Sequence, residues 1–175
     1  MKIYLIFHVA LPLILAEIPP IKKFKINKIS LIIGSLIPDI IDKPLLFLGL
    51  GVGRSFSHSL LFLIISFLIV YFSSKKNKSV SIPFLVGISI HLILDLPDIP
   101  YFYPFVLYDF PTPDNPVLYW FYKMLTDPII ILTETSGVFF IIFIVINNKL
   151  YHISNISNYL KGNNQFTKST QTAKI

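Results

Sequence analysis

The sequence predicts an all-α, polytopic integral membrane protein with about five transmembrane helices and a polar metal-site cluster in one half of the bundle. Hydrophobic residues make up 54% of the 175 residues and charged residues only 14%, whereas soluble domains carry about 25% charged residues. The mean hydropathy is +0.70. So few charges exclude an ordinary soluble globular protein, and such high hydrophobicity excludes disorder over most of the chain.

Five long apolar runs carry this prediction. They cover roughly residues 3–19, 29–50, 56–72, 81–96 and 128–146. Because about 20 apolar residues span a bilayer as a helix, each run is predicted to cross the membrane. Two alternatives stay open: the first run could be a signal peptide, and residues 29–50 could be re-entrant rather than spanning. Residues 1–147 are predicted to form a transmembrane helical domain and residues 148–175 a polar, partly disordered tail.

The basic residues indicate sidedness. Eleven of the 15 lie in the loop 22–28, in the loop 75–78 and in the tail. In a five-span protein these segments share one side, which the positive-inside rule assigns to the cytoplasm. The sequence therefore predicts a multi-pass protein of the cell (inner or plasma) membrane, embedded in the lipid bilayer, with a cytoplasmic tail.

The connection 97–127 would lie on the opposite side. Its six prolines prevent one continuous helix, and its ten aromatic residues suit the headgroup layer of a bilayer. We interpret it as an interfacial flap over the outer mouth of the bundle. An aromatic belt that merely anchors a loop explains the same composition.

Every predicted span carries an acid or a histidine, although such a group inside a bilayer costs on the order of 2.5–3.5 kcal/mol. The residues are His8, Asp39, Asp42, His58, His91, Asp95 and Glu134. Under the five-span topology all of them fall in the outer half of the membrane. We therefore expect side chains from distant parts of the sequence to meet at one depth.

The spacing of these residues favours a metal site. His91 and Asp95 lie four positions apart, and Asp39 and Asp42 lie three apart, so each pair shares a helix face. Pro38 and its neighbours suggest a break in the second helix. Several carboxylates cannot all ionise in a low-dielectric space without a cation. Histidine beside carboxylate is typical of zinc, iron or manganese, and oxygen-only sets favour magnesium or calcium.

The predicted cofactor is one or more divalent ions, with zinc favoured and manganese or magnesium as alternatives. The predicted ligands are His8, Asp39, Asp42, His58, His91 and Asp95. The chain has no cysteine, which excludes a thiolate zinc site, an iron–sulfur cluster and a cysteine nucleophile. The basic loops are short and lack aromatics that could stack on bases, so no nucleic-acid partner is expected.

The same residues resemble a known family. An early histidine, His8, is followed by the segment Gly-Ser-Leu-Ile-Pro-Asp-Ile-Ile-Asp at 34–42, by Arg-Ser-Phe-Ser-His-Ser at 54–59 and by His-Leu-Ile-Leu-Asp at 91–95. This order is similar to the membrane-bound metal-dependent hydrolases, whose bacterial members are described as predicted LexA-binding, inner-membrane-associated hydrolases. The chain departs from the family pattern in its wider aspartate spacing, in Gly53 where a histidine usually precedes the arginine, and in Ser57 for threonine.

The resemblance implies a helical zinc site that hydrolyses phosphate esters. We expect a metal-activated water to attack an ester or phosphoester of a small-molecule or lipid substrate. Arg54 would stabilise the developing anion, and either Glu134 or an aspartate not committed to the metal would act as general base. An ion-coupled transporter and a non-catalytic, metal-stabilised membrane scaffold are the alternatives. The sequence leaves a homo-oligomer open and identifies no protein partner.

Overall fold

The computed structural model describes residues 4–111 and 113–162, and these are all helix, turn and loop, with no strand. The all-α class is therefore confirmed. The α-helices are α1 (Leu5–Ala16), α2 (Pro19–Lys22), α3 (Lys28–Phe47), α4 (Leu60–Ser73), α5 (Lys78–Leu94), α6 (Pro116–Thr126), α7 (Pro128–Asn147) and α8 (Ile153–Leu160). A 3₁₀ turn at Phe56–His58 precedes α4.

Short polar side chains begin most of these helices. Asn27 accepts a hydrogen bond from the backbone N–H of Ser30 at the start of α3. Asn77, Asn115, Ser59 and Asp127 cap α5, α6, α4 and α7 in the same way. Such caps satisfy backbone N–H groups that the first helical turn leaves unpaired. Ser59 lies inside the apolar run 56–72, so α4 begins four residues after the run does.

The prediction of about five transmembrane helices is wrong. Within residues 4–111 and 113–162, only α7 is both long enough and apolar enough to cross a bilayer. The helices α1, α4 and α5 have 12, 14 and 17 residues, fewer than the roughly 20 that a span needs. α3 has 20 residues but includes Lys28, Asp39, Asp42 and Lys43. Each apolar run contains a helix, but length and composition make only α7 a candidate span among the described residues.

Two consequences follow from this correction. The sidedness of the lysine-rich loops depended on five alternating spans, so their cytoplasmic placement and that of the tail no longer follow. α3 also runs unbroken through Pro38 and Pro44, so the break expected in the second run is absent.

α3 and α5 pack backbone against backbone. A Cβ atom added to Gly34 would lie 2.2 Å from the carbonyl oxygen of Phe84, and one added to Gly87 would lie 2.3 Å from that of Leu31. Only glycine allows two helices to approach this closely. The contact places the carbonyl oxygen of Ser35 2.7 Å from His91 Nδ1.

A second polar cluster ties the opposite end of α1 to α3, α7 and α8. Glu17, at the end of α1, contacts Lys22 Nζ at 2.6 Å and Lys28 Nζ at 3.5 Å. Asn148 donates to Glu17 at 3.3 Å. The ammonium of Lys28 lies 4.2 Å from the ring centroid of Tyr159 in α8. This cluster holds α8 against the bundle, so the first part of the predicted tail is packed structure; residues 163–175 lie outside the described residues.

Candidate metal centre

The structure brings together all six predicted metal ligands. They are His8 on α1, Asp39 and Asp42 on α3, His58 at the end of the 3₁₀ turn, His91 near the end of α5 and Asp95 just after it. None of the six is more than 4% exposed. Four elements that are distant in sequence therefore place imidazoles and carboxylates in one buried space.

Four of these residues form the tightest group. Donor atoms of Asp39, His58, His91 and Asp95 all lie within 4.8 Å of one another. The two imidazole Nε2 atoms are 3.2 Å apart, and His58 Nε2 lies 3.6 Å from an oxygen of each of the two aspartates. Donors around a tetrahedral zinc ion are separated by about 3.3 Å when the bonds are 2.0–2.1 Å long. The group therefore has nearly the dimensions of a zinc coordination sphere.

The Nδ1 atom of each imidazole is held by an acceptor outside this group. His8 Nδ1 lies 2.9 Å from the carbonyl oxygen of Tyr4, and His91 Nδ1 lies 2.7 Å from that of Ser35. His58 Nδ1 lies 2.8 Å from Asp42 Oδ2. Because carbonyl and carboxylate oxygens only accept hydrogen bonds, each Nδ1 carries the proton. In the neutral imidazoles the Nε2 lone pairs then point into the cluster, as metal-ligating histidines require.

Two buried acceptors at this centre have no hydrogen-bond partner. They are His8 Nε2 and Asp95 Oδ1, which face each other at 3.6 Å. A buried polar atom without a partner costs about 1–3 kcal/mol. Two opposed lone pairs of this kind fit a cation between or beside them.

Asp42 lies behind His58 rather than in the four-donor group. Its Oδ2 atom accepts hydrogen bonds from His58 Nδ1 and, at 2.7 Å, from the backbone N–H of Ser55. Burial alone would raise the pKa of Asp42, but its hydrogen bonds from His58 and from the backbone N–H of Ser55 help to lower it. Asp42 is thus a carboxylate that orients the imidazole.

Electrostatics keeps the acids of the centre ionised despite their burial. Burial would raise the pKa of Asp39, yet nearby His58 and the ammonium of Lys43 lower it. Burial would also raise the pKa of Asp95, which His8 and Arg54 lower. For His91, burial and then the neighbouring His8 lower the pKa to about 3, so its imidazole is neutral. Burial disfavours protonation of His58 too, but the surrounding carboxylates raise its pKa, so one proton and a metal ion would compete for that imidazole.

A cavity of about 440 Å³ lies against the centre. Asp39 and Asp95 line it from within the four-donor group, and Arg54, Lys43 and Asp98 line it beside them. The Arg54 guanidinium lies 3.1 Å from Asp95 Oδ2 and donates at 3.1 Å to the carbonyl oxygen of Asp98. Arg54, the residue predicted to stabilise an anion, therefore lies at the edge of the centre and lines the cavity.

Glu134 is not in this group. Its two carboxylate oxygens accept hydrogen bonds from the backbone N–H groups of Ile6 and Phe7, each at 3.1 Å. These N–H groups belong to the first turn of α1, where an anion is favoured by the helix dipole. The structure therefore places Glu134 as a cap on α1, away from the cavity lining.

Three residues at the centre were not predicted as metal ligands or catalytic residues. Asp98 follows Asp95 by three positions and lines the cavity, although its place among prolines indicated only a turn. Lys43 contacts Asp39 Oδ2 and lies 5.1 Å from the ring centroid of Trp120. The four-residue spacing of Asp39 and Lys43 is a signal that could have found this pair. Nothing in the sequence indicates that the ring of Trp120, far along the chain, lies beside Lys43.

The connection 97–127 contributes to the cavity wall. Phe110, Pro111 and Pro113 line it before α6, and Tyr119 and Trp120 line it from within α6. α6 tolerates Pro116 because this residue occupies the first turn, where the N–H that proline lacks has no partner within the helix. The expected flap is thus partly a helix, and part of it covers the candidate centre.

Comparison with known proteins gives one match. The family model described as "YdjM inner membrane protein" matches residues 4–157. No curated protein and no solved structure matches the chain. The match confirms that the chain belongs to an inner-membrane family and therefore supports its location at a membrane. Metal dependence and hydrolase activity remain predictions.

Proposed function

The chain belongs to the YdjM inner membrane protein family, and from this premise we propose that it is a membrane-associated, metal-dependent hydrolase of phosphoesters. The four-donor group of Asp39, His58, His91 and Asp95 would hold a divalent ion, with zinc the best match to mixed imidazole and carboxylate ligands. His8 would be a further ligand or neighbour through Nε2. Asp42 would orient His58 and is proposed as a supporting residue rather than a ligand.

One observation carries the proposal: three buried imidazoles have their Nδ1 atoms held by Tyr4, Asp42 and Ser35, so that each presents Nε2 to one space lined by aspartates. A structural hydrogen-bond network would pair these atoms with donors. Instead, His8 Nε2 and Asp95 Oδ1 have no hydrogen-bond partner and face each other at 3.6 Å. The donor set is therefore one that a cation would satisfy.

The chain's own residues would act around a substrate in the adjoining cavity. A divalent ion at this centre supplies Lewis acidity and lowers the pKa of water towards about 7. Arg54 would stabilise negative charge that develops on a phosphoryl oxygen. Asp98 lines the cavity, lies outside the four-donor group and has a side chain 45% exposed. We therefore propose Asp98 as the general base, a role left open between Glu134 and an uncommitted aspartate.

A second candidate is a purely structural ion. Structural zinc sites are closed by four protein ligands, whereas catalytic sites keep a position open. The four-donor group could by itself complete a tetrahedral coordination sphere, which favours a structural ion in a non-catalytic membrane scaffold. The cavity that reaches Asp39 and Asp95 favours catalysis, since a structural site gains nothing from it. The transporter alternative depended on several spans with ionisable groups, and the described part of the chain, residues 4–111 and 113–162, has one candidate span.

Metal content and chelator-sensitive hydrolysis test the proposal. We expect the purified protein to retain about one divalent ion per chain, and His91→Ala or Asp39→Ala to lose it. His152→Ala is the matched control, because this histidine is exposed and precedes α8. A generic phosphodiester should be hydrolysed by the metal-loaded protein and not after chelation. Retained metal without hydrolysis of any phosphoester would favour the structural ion, and full metal content in His91→Ala would contradict the ligand assignment.

A further inference from the structure

Both polar and apolar side chains line the cavity beside the four-donor group. Among the polar ones, Asp39 and Asp95 belong to the four-donor group and Arg54 lies 3.1 Å from Asp95. The apolar lining residues, here called the apolar wall, are Leu46, Val52, Phe110, Pro111, Pro113 and Trp120. A ligand that fills this space must combine a polar group with a hydrocarbon portion, because an unpaired polar group against that wall would lose its hydration.

Charge determines which polar group fits. Two cations, Lys43 and Arg54, and three acids, Asp39, Asp95 and Asp98, line the cavity. Ionised, they sum to one negative charge, which would repel an anion. A divalent ion at the centre reverses this to one positive charge. This step rests on the proposed function: an anionic headgroup is expected only when the metal centre is loaded.

Arg54 is the group best placed to meet such an anion. It is the single arginine of the chain, and its side chain is 15% exposed beside Asp95. A guanidinium presents a fork of N–H donors that matches phosphate oxygens in pairs. Lys43 adds a second positive charge between Asp39 and the Trp120 ring.

The surface beside the wall is apolar and exposed. Leu48 and Leu50 are 70% and 72% exposed, between wall residues Leu46 and Val52 in sequence. Leu107, just before Phe110, is 86% exposed. Apolar pockets alone are typical of many ligand sites, but a large exposed apolar surface marks a membrane or protein contact. In an inner membrane protein family, we assign this surface to the bilayer.

We propose that the ligand of this cavity is a membrane-resident amphiphile with a phosphate-ester headgroup and an aliphatic chain. The headgroup lies at Arg54 next to the four-donor group. The chain runs along the Trp120 wall towards the exposed leucines and from there into the bilayer. The substrate is thus drawn from the membrane rather than from water.

Trp120 makes this testable, because it is the only tryptophan of the chain and lines the cavity. The zinc-loaded protein, in nanodiscs of a phosphate-free glycolipid, is titrated with inorganic phosphate, butyl phosphate and octyl phosphate while Trp120 fluorescence is recorded. Octyltrimethylammonium is the control for chain partitioning. Each buried methylene should tighten binding up to about fourfold. We expect octyl phosphate to bind at least about tenfold tighter than butyl phosphate, with inorganic phosphate weakest.

Two variants assign the headgroup position. Arg54→Gln should weaken octyl phosphate binding at least about tenfold, as the loss of a charge-assisted contact implies. Lys75→Gln, in the exposed loop after α4, should bind like the unaltered protein. Zinc content is measured for each variant, so that loss of the metal is not mistaken for loss of a phosphate contact.

The outcomes separate this inference from the function it rests on. Equal affinity for butyl and octyl phosphate would overturn the lipid assignment and indicate a water-soluble phosphoester, with the metal centre intact. Equal binding of octyltrimethylammonium would overturn the phosphate headgroup. Zinc-loaded protein that binds none of the phosphates would overturn the ligand class alone. A chain that retains no metal would overturn the proposed function, and with it the charge reversal.

Discussion

At the scale of single residues, the positions of Asp39 and Asp42 give two similar carboxylates different roles. Their three-residue spacing places both on one face of α3, and the sequence predicts the same role for both. In the structure Asp39 Oδ1 lies 3.6 Å from His58 Nε2, whereas Asp42 Oδ2 lies 2.8 Å from His58 Nδ1. The two carboxylates contact opposite nitrogens of one ring. We propose that Asp39 binds the ion and Asp42 orients the imidazole.

Replacing Asp42 by asparagine tests this division of roles. Asp42→Asn keeps the shape but weakens the hydrogen bond that orients His58, so zinc affinity should fall about 10–100-fold, as for other partners that orient metal-bound histidines. Asp39→Asn should be more severe. Competition with a chromogenic chelator measures both affinities. Equal losses, or no loss in Asp42→Asn, would show that Asp42 does not act through the ring.

Glu134 supports a different prediction, because its carboxylate accepts from the N–H groups of Ile6 and Phe7. Glu134→Ala removes a cap from α1, so stability should fall by about 0.5–2 kcal/mol, seen as a lower melting temperature in detergent. Zinc content at low temperature should not change. A variant that melts normally but loses hydrolysis would instead favour Glu134 as the general base.

At the scale of elements, the sequence predicted where helices lie but not which of them could span a membrane or how they pack against one another. Each apolar run contains a helix, because hydrophobic side chains with few internal breakers favour one. Ser59 shortens the run 56–72, because its side chain caps α4 and the helix begins only at Leu60. The membrane-level placement of the site residues assumed five spans and no longer follows, because only one candidate span is found among the described residues. The convergence of the six predicted ligands instead comes from direct packing of α1, α3 and α5.

The glycine contact between α3 and α5 should be essential for the centre. In Gly87→Ala the new Cβ would lie 2.3 Å from Leu31 O and 2.8 Å from Ser35 N, so the helices must separate and Ser35 O would leave His91. Overpacking of this kind typically costs about 1–3 kcal/mol. We expect a lower melting temperature together with weaker zinc binding.

Gly51→Ala is the matched control for the helix contact. A Cβ there would meet its nearest atom, Leu45 Cβ, at 3.4 Å, which is ordinary contact. It should behave like the unaltered protein. If Gly87→Ala and Gly51→Ala had equal melting temperatures and equal zinc affinities, direct backbone packing of α3 on α5 would not be what positions His91.

At the scale of the whole molecule, two buried polar clusters lie at opposite ends of α1. One is the candidate metal centre around His8, and the other surrounds Glu17 with Lys22, Lys28 and Asn148. The sequence indicated the first cluster because its histidines and aspartates are rare inside apolar helices. It did not indicate the second, since Glu17 lies beside lysines that a sequence places at a solvated surface.

The Glu17 cluster predicts how stability depends on pH. Burial would raise the pKa of Glu17, but its hydrogen bond from Lys22 and the charge of Lys28 lower it below 4.5. A lowered folded-state pKa stabilises the fold above the unfolded pKa, and this contribution is lost as pH falls through the folded pKa. Glu17→Gln should therefore lower the melting temperature at neutral pH. The difference from the unaltered protein should shrink as pH falls below about 4.3, and a difference that stays constant with pH would contradict the ionised contact.

The most direct test of the central claim is zinc-edge X-ray absorption on the purified, zinc-loaded protein. The proposed centre predicts nitrogen and oxygen donors at about 2.0–2.1 Å, with outer-shell scattering from at least two imidazoles and no sulfur. His91→Ala should lose part of the imidazole signal. Zinc surrounded by oxygen alone, or no zinc above background, would contradict a metal centre built from Asp39, His58, His91 and Asp95.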